Sequence, residues 1–192
     1  LATNALPQGA TTVAGEAQAS IDLATNLLAT LTGVVIGAAV LALVGLFNIA
    51  GTYVAGLLGQ RRSKPLLLVA LYGTRALVLT GFILFPLSEG SAYVFGACMG
   101  LLWLSTVPLT NGTVATLFGV ENLALLGGIV FLFHQIGAFL GGWLGGRLYV
   151  ATGSYDVVWW MSVALAVLAA LINLPIREVP VARVRAQQAG VA

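Results

Sequence analysis

Three side chains hold most of the chemistry open to this 192-residue chain: one histidine, one cysteine and one arginine set deep in an apolar run. His134 begins HQIGAFLGGWLGG (134–146), a stretch with no charge until Arg147. An imidazole titrates near neutral pH, so substrate binding or proton coupling is open to it. The plainer role is a neutral ring bonded to a neighbouring helix. Gln135 points about 100° further round the same helix. Arg75 lies near the middle of another apolar run, where a charge is costly and needs a partner. That partner is a backbone carbonyl, a hydroxyl, a substrate anion or an acid on another segment; Tyr72 and Thr74 are its near neighbours in sequence. Cys98 is the only cysteine, so no intrachain disulfide forms. One His and one Cys exclude metal sites built from clusters of those ligands, and no metal or cofactor is expected. An enzyme needs a nucleophile with a base, or paired acids. A single histidine without a buried carboxylate argues against one.

The elements that position these residues follow from charge. The chain is 59% hydrophobic and 7% charged, against roughly 25% charged in soluble domains. So few charges cannot cover a water-soluble surface, and the expected solvent is a lipid bilayer. The net charge of +2 rests on few groups, and no basic patch interleaved with aromatics indicates nucleic acid. Charge-free windows run over 23–60, 91–120, 122–146 and 157–176, and 65–88 holds only Arg75. A membrane helix needs about 20 apolar residues. Five spans are therefore predicted, at 34–59, 65–87, 92–118, 122–148 and 155–176. Residues 1–33 read as a polar, Ala/Thr-rich leader and not as a clear transmembrane helix: 1–22 as flexible, 23–33 as a helical extension. Residues 34–176 form the membrane domain and 177–192 a short basic tail. The chain opens at Leu1 without the order of a signal peptide, so a fragment or a processed product is expected.

Membrane helices pack through small residues and through polar groups that find partners. Gly137, Gly141 and Gly145 repeat every fourth residue, beside Gly142. They predict a packing seam with His134 on the same side, facing the bundle, and Trp143 about 180° away. No strand precedes these glycines, so they are not a dinucleotide fingerprint. The first span shows a small and polar face of Gly45, Asn48, Thr52, Gly56 and Gly59, with Tyr53 beside it. The third shows Trp103, Thr106, Thr110 and Thr113 with Asn111 adjacent, and Pro108 breaks the backbone ladder among them. A proline kink with threonines bonded to their own helix explains the third face. Three such faces together point instead to a shared lumen.

Lys/Arg placement sets orientation. With five spans, Arg61, Arg62, Lys64, Arg177, Arg183 and Arg185 share one side, and only Arg147 lies towards the other. The basic side, with the C-terminus, is predicted to be cytoplasmic, and the location the plasma (inner) membrane. Trp159 and Trp160 fall near the outer interface.

The stretches LALVGLFNIAGTYVAGLLGQRRSKPLLL (41–68), MGLLWLSTVPLTNGTVATLFG (99–119) and HQIGAFLGGWLGGRLYVATGSYD (134–156) resemble the C-terminal half of a major facilitator superfamily transporter. The branch they are most similar to is the bacterial monocarboxylate-porter-like and oxalate/formate-antiporter-like one. The resemblance covers about 34–176 and implies an all-α, polytopic bundle whose five spans are similar to helices 8–12 of that fold. In the short-loop pattern Gly-x-x-x-Asp-Arg-x-Gly-Arg/Lys-Arg/Lys, Gly56, Arg61 and Lys64 fit and Arg62 falls within it. Gln60, Ser63 and Pro65 stand where Asp, Gly and a base belong. The resemblance further implies that Asn48, Tyr53, Trp103, Thr106, Asn111, His134 and Gln135 line the cavity, and that Arg75 packs on an outer helix. It implies transport of a small organic solute, a carboxylate or other anion, by alternating access. The partners are then the bilayer, the solute and a missing N-terminal half. The competing reading is a non-transporting helical module that assembles with other membrane proteins.

Overall fold

A computed structural model describes residues 8–181, together with 186 and 190. Among the described residues every regular element is helical, and five helices are long and apolar enough to cross a membrane. These candidate spans are Gly15–Arg61, Lys64–Leu84, Glu89–Phe118, Val120–Thr152 and Asp156–Asn173. Four of them take in most of a charge-free window, and Lys64–Leu84 takes in most of the window that holds only Arg75.

The chain divides into two compact units, Leu1–Leu41 and Ala42–Ala192. The first helix, α1, is Gln8–Arg61 and contributes to both. Within the first unit, residues 8–22 are helical and not the flexible leader that their composition predicted; 23–33 are helical as well. The residues there are mostly adequate helix formers, and no proline follows Pro7 until Pro65. Polar side chains turn back on their own helix: Ser20 donates to the Glu16 carbonyl, Thr25 to Ile21 and Thr30 to Asn26, and Gln18 donates to Asp22. The expectations for residues 1–7, and for Arg183 and Arg185 in the tail, lie outside the described residues.

The second unit contains residues 42–61 of α1, then α2 (Lys64–Leu84), α3 (Glu89–Trp103), α4 (Thr106–Phe118), α5 (Leu123–Thr152) and α6 (Asp156–Asn173). Its boundaries have local causes. Pro65 sits in the first turn of α2, where no backbone donor is needed. Pro86 forces Phe85 into an extended conformation and ends that helix. Ser88 and Ser91 form a reciprocal capping box at the start of α3. Gly153, at φ 71°, ends α5 in the left-handed region.

Packing is closest where glycines meet backbone. A Cβ built on Gly51 would lie 2.1 Å from the Leu101 carbonyl oxygen, and one on Gly100 would lie 2.6 Å from that of Val44. So α1 and α3 cross almost backbone to backbone. The buried side of α1 is Gly51, Ala55 and Gly59, rotated from the predicted face. Gly45 is exposed, Asn48, Thr52 and Gly56 are half-buried, and Gly59 alone belongs to both sets. Ala55, Leu68 and Leu109 form a small core, against which Leu67, Leu71 and Tyr72 pack. Phe82, Phe95 and Trp159 join α2, α3 and α6 through ring contacts at 4.1–5.8 Å. Large apolar side chains elsewhere are mostly exposed, Leu77 at 74% among them. Such a surface is stable in lipid and not in water.

Candidate functional site

The third candidate span is two helices, not one: α3 stops at Trp103 and α4 starts at Thr106. Sequence placed the break at Pro108, but it lies at Leu104–Ser105 because proline acts one turn upstream. Pro108 has no N–H to give the Leu104 carbonyl, and its ring crowds that oxygen. Val107 N–H donates to the Leu104 carbonyl instead, at 3.0 Å, a tighter turn than the α-helix allows.

Side chains from two other helices meet the backbone groups at this break. Arg75 on α2 donates through Nη2 to the Leu102 carbonyl at 2.6 Å and to the Trp103 carbonyl at 3.2 Å. Of the partners the sequence allowed, a backbone carbonyl is the one observed. The guanidinium lies over the Tyr72 ring, 5.4 Å from its centroid, and its Nε is buried without a hydrogen-bond partner. From α1, Asn48 Oδ1 accepts the Leu104 N–H at 3.0 Å. The close Gly51 crossing, one turn further along, brings α1 within reach. Thr106 Oγ1 donates to the Trp103 carbonyl at 3.4 Å, and Ser105 Oγ donates to the Leu101 carbonyl. The structure thus gathers Asn48, Arg75, Thr106 and the Trp103 backbone at one point, while the Trp103 side chain is exposed.

The remaining candidates lie apart from this cluster. Tyr53, Asn111, His134 and Gln135 are exposed, and His134 rests on Phe131 of its own helix, ring centroids 6.2 Å apart. A Cβ on Gly137, Gly141 or Gly142 would meet nothing within 4 Å, whereas one on Gly145 would meet Val158 of α6 at 3.8 Å. Within this chain the predicted seam is therefore packed only at its Gly145 end. His134 does not face a helix of this bundle, because no described helix covers residues 131–143, all of which are exposed. Trp143 is exposed as well, so exposure does not distinguish it from the seam.

A second polar cluster stands at the basic end. Arg61 and Arg62 are exposed. Lys64 forms an ion pair with Glu178 and reaches Thr116 Oγ1 at 3.4 Å. The Lys64 backbone N–H donates to Glu178 Oε2 at 3.2 Å, so this carboxylate caps the positive end of α2. Val181 N–H donates to the Leu117 carbonyl at 3.0 Å and fastens the tail to α4. A cavity of about 420 Å³ opens beside Lys64, with Gly56, Gly59, Gln60 and Pro108 in its wall. Sequence reading missed Glu178 because its neighbours are basic. The signal was there, as the one acid in the tail among only six in the chain.

These arrangements fix backbone and tail by hydrogen bonds, and neither pairs a nucleophile with a base. In comparison with known proteins, no family model, curated protein or solved structure matches this chain.

Proposed function

We propose that this chain is the C-terminal half of a secondary transporter with the major facilitator architecture, moving a small organic anion by alternating access with a complementary half. The observation that carries the reading is that no other described helix covers α5 over residues 131–143. His134, Gln135, Gly137 and Gly141 are polar or small, and lipid is a poor partner for them. They stand exposed along a helix apolar enough to span a membrane, as a half that awaits its partner requires. The discontinuous third span adds support, since broken helices line solute pathways in many transporters. The positive-inside rule applied to Arg61, Arg62 and Lys64 supports a cytoplasmic C-terminus, and the reading takes the membrane to be the plasma membrane.

The test is uptake of radiolabelled small carboxylates by proteoliposomes carrying the chain together with the seven preceding helices, taken from its own genome, that complete the twelve-helix architecture. Uptake above empty vesicles is expected. His134→Ala should incorporate equally but lose uptake. Equal uptake by His134→Ala would remove that residue from the mechanism. No flux with both halves present would replace transport with the module reading.

A further inference from the structure

We propose that Arg75 and Asn48 are positioning residues that hold the bend between α3 and α4 and so fix where Trp103 and Thr106 stand. Each half of the broken helix has its own anchor. On the α3 side, Gly100 and Leu101 lie against the backbone of α1 at Val44 and Gly51. On the α4 side, Leu109 is fully buried in the core, and Gly112 receives the stem of Lys64 from the start of α2. Between the anchors the backbone is free to choose its bend, because Pro108 has removed one rung of the ladder.

The groups that meet the break are complementary in sign. The exposed amide of Leu104 takes an acceptor from α1, and the carbonyls of Leu102 and Trp103 take a donor from α2. One Nη2 amino group carries two hydrogens, one for each carbonyl. A shift of the bend in either direction breaks at least one of these three bonds. Arg75 makes them while its Nε stays buried and unpartnered, so the guanidinium is placed for the carbonyls and not for its own full satisfaction. Thr106 shares the Trp103 carbonyl with Arg75, which ties a predicted cavity-lining hydroxyl directly to the fixed point.

A double-mutant cycle tests the assignment. Arg75→Leu should lower the thermal midpoint of the purified chain, because the Leu102 carbonyl loses its side-chain donor and the Trp103 carbonyl keeps only the longer bond from Thr106. Pro108→Ala restores the missing N–H, lets α3 and α4 run on, and leaves those carbonyls with intrahelical partners. In that background Arg75→Leu should lose at least half of its effect or raise the midpoint. Equal losses in both backgrounds would overturn the proposal. Arg75→Lys, which keeps the charge but has a shorter reach towards the two carbonyls, guards against a variant that fails to fold. It should speed hydrogen exchange about tenfold at amides 103–107 and leave α6 unchanged. Uniform acceleration, or none at the break, counts against positioning.

The consequence for solute binding rests on the transport reading. In the proteoliposome assay, Arg75→Lys should raise the apparent KM more than it lowers the maximal rate. Coupling in the cycle without any flux from the native chain would sink transport and leave the bend assignment standing.

Discussion

Replacing Gly51 by alanine adds one methyl group where α1 crosses α3. That methyl would sit 2.1 Å from the Leu101 carbonyl oxygen, 2.7 Å from its carbon and 2.8 Å from its Cα. A carbon–oxygen contact settles at about 3.3 Å, so the two backbones must part by about 1.2 Å. Both sides of the clash are main chain, and no rotamer can relieve it. Overpacking of this kind costs about 1–3 kcal/mol, and a rigid site belongs at the upper end. The same separation would stretch the Asn48–Leu104 bond from 3.0 Å to about 4 Å, beyond hydrogen-bond range. Its loss adds about 1 kcal/mol, for a total of about 4 kcal/mol.

Unfolding by sodium dodecyl sulfate in mixed micelles, followed by the fluorescence of the four tryptophans, measures this directly. Gly100→Ala should behave similarly, since its neighbour is the Val44 backbone at 2.6 Å. Gly59→Ala should cost less, because its close contact is a side-chain end, Leu109 Cδ2 at 2.8 Å, and not backbone. Gly73→Ala, with nothing within 4 Å, should gain up to about 1 kcal/mol from helix propensity. Gly51→Ala within about 1 kcal/mol of the native chain would refute the close crossing and the packing argument built on it.

Two further predictions concern the ends of helices. Ser88→Ala removes the cap of α3 and should destabilise by about 1 kcal/mol in the same titration; an unchanged midpoint would mean that the capping box contributes nothing. Glu178→Gln removes the charge that holds the tail to Lys64, and the partly exposed pair contributes about 1 kcal/mol or less. Trypsin should then cut faster after the exposed Arg177, and high salt should produce the same acceleration in the native chain. Identical cleavage of the variant and the native chain at low salt would show that the pair does not hold the tail.

The sequence located the spans well because the rule that finds them is local. A charge in lipid is costly wherever it stands, so windows between charges become helices almost irrespective of what lies next to them. Facing was less legible. Gly51, Ala55 and Gly59 form the packed side of α1, yet a spacing of four also fits Asn48, Thr52 and Gly56. Only the partner helix chooses between the two rows. The break in the third span was legible in kind from Pro108 and displaced by one turn, since proline acts on a carbonyl four residues earlier. Arg75 announced that it needed a partner without naming one, because a backbone carbonyl has no letter in the sequence. Glu178 was hidden by composition: a tail summed to a positive charge conceals the acid that does the fastening.

The pairing of α2 with α6 also sets an order of assembly. α2 packs most extensively against α6, whose last residue is made about ninety residues after α2 ends, roughly 4–20 s later at cellular rates of synthesis. Through that interval α2 waits in the bilayer without its main neighbour. Arg75 waits far less, because the carbonyls of Leu102 and Trp103 emerge within about thirty residues, roughly 1–6 s. The charge that lipid tolerates least is thus the first to be relieved, and the broken helix shelters α2 until the last span arrives.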